Sequence, residues 1–253
     1  MALAPRVRRT VRLLLGLLAL TVGAYIGLLF APGPLFRYAY AGTVVALHSD
    51  QPIPLDAGDV IARTEAKLRR SPLFQSSRKH DVYICNGNWR WLLLSSGNRR
   101  AAAIALLVSH GGKAIITRSA DVASNRLMQA SGQYAPNERT LDYYLAHEIA
   151  HEMTADFLGG RASRRLPVWV SEGYADYVGR GTQFDYADAR AALLGDASGR
   201  RSPPQSGFYL RYVLLVAHLL DREAWSVEDL LRSPPDEAAV DARVRAGLVV
   251  PRK

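Results

Sequence analysis

The stretch YYLAHEIAHEMTADF runs from Tyr143 to Phe157. Its apolar residues recur with helical period, so Glu138 to Leu158 is predicted to be a helix, ended by Gly159-Gly160. His147 and His151 stand at i and i+4, which puts both rings on one helix face. Two imidazoles so placed can reach one metal ion at about 2.0–2.1 Å. Glu148 follows the first histidine. It is placed to hold a water on the ion rather than to bind the ion itself. The spacing His-Glu-x-x-His fixes only three positions, so it needs a partner elsewhere in the chain.

The string PVWVSEGYADYVG supplies one. Proline at its start and Gly179 at its end predict a second helix over Pro167 to Val178. It carries Glu172, 21 residues after His151. A catalytic zinc site takes three protein ligands and keeps a fourth position open, and His147, His151 and Glu172 meet that count. Asp176, at i+4 from Glu172, shares its helix face. A carboxylate there can accept the free ring N–H of a ligand histidine and fix its tautomer. The turn Gly159 to Leu166 is short enough to fold the second helix back on the first.

His147-Glu148-x-x-His151 followed by Glu172-Gly-x-Ala-Asp176, with Trp169 before and Tyr177 after, resembles the gluzincin branch of zinc metallopeptidases. The likeness is specific over about residues 140–180 and architectural elsewhere. It implies a zinc peptidase with Glu148 as general base, Glu172 as third ligand and Asp176 supporting a histidine. It also implies a zincin-like fold: an upper lobe whose edge strand aligns an extended peptide, an active-site helix, and a helical lower lobe. Relatives commonly supply a Tyr or His from the lower lobe to stabilise the oxyanion. Tyr209, which opens FYLRYVLLVAHLL, is the first choice here, with Tyr212 and His218 as the others.

Outward from this core, the periodicity divides the chain without help from the resemblance. Ala57 to Arg70 reads as a helix closed by Pro72. Asp81–Asn86 and Trp89–Leu94 are strand candidates, the second ambiguous. Ala101–Val108 and Lys113–Thr117 flank Gly111-Gly112 as a hairpin. Asp185–Leu194, Phe208–Leu220, Val227–Leu231 and Glu237–Ala246 are helical, and 198–206 is a polar loop. The expected fold is therefore α+β. Residues 43–135 form an upper mixed lobe and 136–253 a helical lobe with the metal site.

Residues 1–42 differ. Arg6, Arg8, Arg9 and Arg12 precede Leu13 to Ala31, 19 residues without a charge, stopped by Pro32-Gly33-Pro34. At about 1.5 Å per residue this nearly crosses a hydrocarbon core of roughly 30 Å. A single-pass anchor with a cytoplasmic Arg-rich tip and an extracytoplasmic domain is favoured. The alternative is a cleaved signal peptide with Ala39 and Ala41 as its small-x-small site, and so a secreted protein.

Of 32 basic residues 28 are Arg and four Lys, giving a net charge of +9. The skew can follow coding bias and the N-terminal cluster suits a membrane, so no nucleic-acid partner is expected. One cysteine, Cys85, excludes a disulfide framework and is expected to be a buried apolar residue. His48, His80 and His110 have no partner at ligand spacing.

The expected function is hydrolysis of a peptide or protein substrate by a membrane-anchored zinc endopeptidase. An aminopeptidase would want an acidic anchor in the upper lobe, and SSGNRRAAAIALLVSHGGK holds no acid. A non-catalytic metal-binding or scaffold protein would not need Glu148. Zinc is the expected ion, although His and carboxylate suit several first-row metals. Oligomeric state is not legible in the sequence.

Overall fold

The computed structural model describes residues 5–107, 113–135, 139–195 and 209–251. His110, the Gly111-Gly112 turn, the 198–206 loop and the first predicted residue of the histidine helix, Glu138, lie outside them. The architecture is α+β. A long apolar helix, α1 (Pro5–Phe30), is followed by a five-stranded mixed sheet and then by packed helices. Helix α1 is long and apolar enough to cross a membrane.

The sheet comprises β1 (Tyr38–Ala41), β2 (Val45–Ser49), β3 (His80–Ile84), β4 (Ala103–Leu107) and β5 (Lys113–Thr117), in the order β1-β2-β3-β5-β4. Strands β2, β3 and β5 run parallel, while β1 and β4 are antiparallel edges. Alternation along the strands sorts side chains to two faces. Val82, Ile84 and Ile115 join the main core with α2 (Ala57–Leu68) and α4 (Leu141–Leu158). Tyr83, Cys85 and Ile116 pack with α3 (Asn88–Leu94) and with Leu29 of α1. The Tyr25 hydroxyl of α1 also donates to the Leu93 carbonyl at 3.0 Å. Cys85 is buried, and burial pushes its thiol up to about 12.

Three local features depart from expectation. Trp89–Leu94 is helix, not strand: Trp91 and Leu94 bury at helical spacing while Trp89 stays exposed. The start of α3 is set by a distant residue, since the Asp50 carboxylate accepts from the N–H groups of Asn86 and Gly87 and pairs with Arg90. Strand β1 lies in the segment before residue 43, so the sheet begins earlier than the composition suggests. Its hairpin with β2 is tied down from outside, because buried Glu65 of α2 accepts from the N–H groups of Val44 and Val45. The histidine helix starts at Leu141 with Thr140 before it.

Helix α4 is buried on nearly every side, between the sheet and α6 (Val168–Arg180). After it come α5 (Gly160–Ser163), α7 (Tyr186–Gly195), α8 (Leu210–Ala217), a π-helical turn (His218–Arg222), α9 (Val227–Arg232) and α10 (Glu237–Ala246). Helix α6 lies between α4 and α8. Gly173 permits the second contact: a Cβ there would stand 2.7 Å from the Tyr212 carbonyl oxygen and 2.8 Å from Val216 Cγ2.

Candidate metal centre

Helix α4 presents His147 and His151, and α6 presents Glu172. Their donor atoms converge. Nε2 of His147 is 3.3 Å from Nε2 of His151 and 3.4 Å from Oε2 of Glu172. Nε2 of His151 is 3.7 Å from Oε1 of Glu172. A tetrahedron around an ion with bonds of about 2.0–2.1 Å has an edge of roughly 3.3–3.4 Å. The three donors therefore fit three corners of such a polyhedron, and the group could hold a metal ion. Lone-pair-bearing atoms this close repel unless an ion or a shared proton lies between them. The donor set suits zinc and several other first-row ions.

Without a metal, a proton can play that part. Burial disfavours the charged form of His147, but hydrogen bonding to Asp176 and Glu172 and the negative charge of Glu148 outweigh it, and its pKa is raised to about 10. Burial likewise opposes ionisation of Glu172, yet the two histidines hold it well below the usual carboxylate range.

Asp176 is fully buried, with Oδ1 3.4 Å from Nδ1 of His147. It also accepts from the Tyr143 hydroxyl, and its other oxygen pairs with Arg180 Nε at 2.9 Å. Burial raises its pKa, but His147 and Arg180 more than offset that and take it down to about 2. The carboxylate is therefore fixed as an anion beside the histidine ring. Ser171 Oγ lies 3.4 Å from Nδ1 of His151, giving the second ring a neighbour too.

Glu148 stands on the cleft side of α4. Its Oε2 accepts a hydrogen bond at 2.7 Å from the backbone N–H of Ala105, on edge strand β4. Tyr209, immediately before α8, lies across the site with its ring centroid 6.0 Å from that of His147 and nearly parallel to it. Burial and the nearby Glu172 carboxylate, to which it hydrogen-bonds, push its phenol far above the ordinary tyrosine value. Tyr209 lines the cleft, whereas Tyr212 and His218 do not. His218 is buried between Tyr186 and Glu223 instead.

The cleft itself has a volume of about 1150 Å³ and is walled by β4, α4 and α6. That exceeds the roughly 300–1,000 Å³ typical of small-molecule pockets. Two other described histidines stand elsewhere: His48 pairs with Asp81, and His80 is buried against Glu152. Trp91 is core and Trp89 faces solvent, and neither lines the cleft.

Some site residues could not be chosen from spacing alone. Ser171 adjoins Glu172 and Arg180 lies at i+4 from Asp176, so local spacing offered a signal for both. Tyr143 has one as well, at i−4 from His147, but reads equally as core. Ala105 has none, because its role is played by a backbone N–H. No protein-family model matches this chain, and no curated protein matches it significantly.

Proposed function

We propose that the protein is a membrane-anchored, zinc-dependent endopeptidase of the gluzincin type. One observation carries this reading: two imidazole nitrogens and a carboxylate oxygen converge at 3.3–3.7 Å beside Glu148, in a cleft walled by an edge strand. When bound, zinc supplies Lewis acidity, lowering the pKa of a water to about 7 and polarising a carbonyl. The rest belongs to the chain. His147, His151 and Glu172 would hold the ion, and Asp176 and Ser171 would orient the rings. Edge strand β4 offers backbone groups to an extended polypeptide.

Hydrolysis forms a C–O bond from water and breaks the C–N bond of the peptide. Glu148 takes the water's proton and returns it to the departing amine. The Ala105 N–H holds this carboxylate against β4. Tyr209, kept protonated by its surroundings, can donate to the developing oxyanion. Glu148→Gln should keep the metal and lose at least about 100-fold in hydrolysis. Undiminished hydrolysis in that variant removes the mechanism.

The retained anchor has structural support. Cleavage after Ala41 would remove β1, which pairs along its length with β2. The arginines before Leu13 keep the N-terminus cytoplasmic and the catalytic domain outside. Protease added to spheroplasts should degrade that domain. Its full protection would reverse the topology.

A further inference from the structure

The walls of the cleft are unequal in charge. Among the described residues, Arg99, Arg100, Arg139 and Arg164 line it, against the acids Glu148 and Glu172. A divalent ion would cancel the two carboxylates, and without one they are still outnumbered by the four arginines. Either way, the arginines leave the cleft positive.

Their placement is built rather than incidental. The turn carrying Arg99 and Arg100 is held by its neighbours. The Asn98 side chain accepts from the N–H groups of Arg100 and Ala101. Arg118 donates to the carbonyls of Arg99 and Ala101. The Trp91 indole donates to the carbonyl of Asn98. The turn leads directly into β4, whose Ala105 touches Glu148. Five residues at about 3.3 Å each put Arg100 at most roughly 17 Å along the cleft from that point. Arg164, at the C-terminal end of α5, also lines the cleft. Arg139 lies in the wall near His147. Its Nε and Nη2, the edge that takes a carboxylate side-on, are shut from water and have no hydrogen-bond partner. Burial opposes its charge, but Tyr144 and the buried Asp176 carboxylate hold the guanidinium in its charged form while that edge stays unpaired.

We propose that the cleft selects acidic polypeptides, with Asp or Glu in the residues flanking the bond to be cut. This rests on the peptidase reading for the cleavage, while charge selection can be measured separately. Arg99 and Arg100 would meet acidic side chains up to about five residues from the reacting bond on one side. Arg139 and Arg164 extend the positive potential past the metal ligands.

The test uses the full chain in detergent with zinc. The substrates are quenched fluorescent peptides of one apolar centre, flanked by Glu, Gln or Lys. The Glu-flanked peptide should be cut about tenfold faster than the Lys-flanked one at low salt, with the gap closing as salt rises. The double variant Arg99→Glu/Arg100→Glu, both exposed side chains, should abolish or invert the order. The control Arg63→Glu/Arg70→Glu, exposed and outside the cleft, should keep it. Equal rates, or a preference untouched by the cleft variant, overturn the proposal. If no peptide is cut, anisotropy with the same peptides decides. Binding that favours Glu flanks and is lost with Arg99 and Arg100 reversed upholds charge selection while the peptidase reading falls. Binding indifferent to charge overturns it.

Discussion

Glu148 of helix α4 accepts a hydrogen bond from the backbone N–H of Ala105 in edge strand β4, at 2.7 Å and across 43 residues of sequence. The contact joins the carboxylate proposed as general base to the strand that would align a substrate. Since that N–H points to Glu148, it is not spent on the ladder with β5. Ala105→Pro removes it while leaving the edge pairing possible, because edge strands tolerate proline. The variant should keep its metal and lose about tenfold in kcat/KM as the carboxylate loses its fixed position. Ala105→Ser, which retains the N–H, should behave as the parent. Kinetics paired with metal analysis check both.

The two acids of α6 should separate in a metal titration. Glu172→Ala removes a donor from the converging set, and the purified variant should lose nearly all of its metal. Asp176→Asn removes only the charge beside His147 Nδ1. Loss of such a supporting partner typically weakens metal binding by about 10–100-fold. Equal affinities in Asp176→Asn and the parent would show that the 3.4 Å approach does not orient the ring.

Metal binding should tighten as pH rises. In the metal-free protein His147 holds a proton up to about pH 10, and that proton must leave before its Nε2 can bind an ion. Its pKa is raised from an unfolded value of about 6.5. The stability it gives the metal-free fold is therefore fully present below about pH 6.5 and lost as pH climbs through about 10. Asp176 has the opposite sign: its pKa falls to about 2, so its contribution is present above the usual carboxylate range and lost as pH drops through about 2. Melting temperatures with chelator and with zinc, measured from pH 6 upward, should diverge as pH increases. A constant gap would sink this linkage.

Gly173 sets the distance between α6 and α8. An added Cβ would meet a backbone oxygen at 2.7 Å, and backbone cannot rotate away. Gly173→Ala should cost about 1–3 kcal/mol in chemical denaturation. Glu172 is the preceding residue, so the same shift should also weaken metal binding.

What the sequence determined by itself is local. Helical period places His147 and His151 one turn apart, and Glu172 and Asp176 one turn apart, because the backbone repeat fixes those directions whatever packs outside. Most helices, β3 and β5 were legible for the same reason, and so was the apolar span that became α1. What tertiary structure decided is everything that needs two separate segments at once. WRWLLL became helix with Trp91 and Leu94 buried on one face, while Asp50 fixes the two residues before it. Residues 38–41 became a strand because β2 offers them an edge. Glu172 meets the histidines because α6 packs on α4, and Glu148 meets Ala105 because β4 is an edge strand on the cleft side. Such contacts arise from burial shared between distant surfaces, and no residue spacing encodes them.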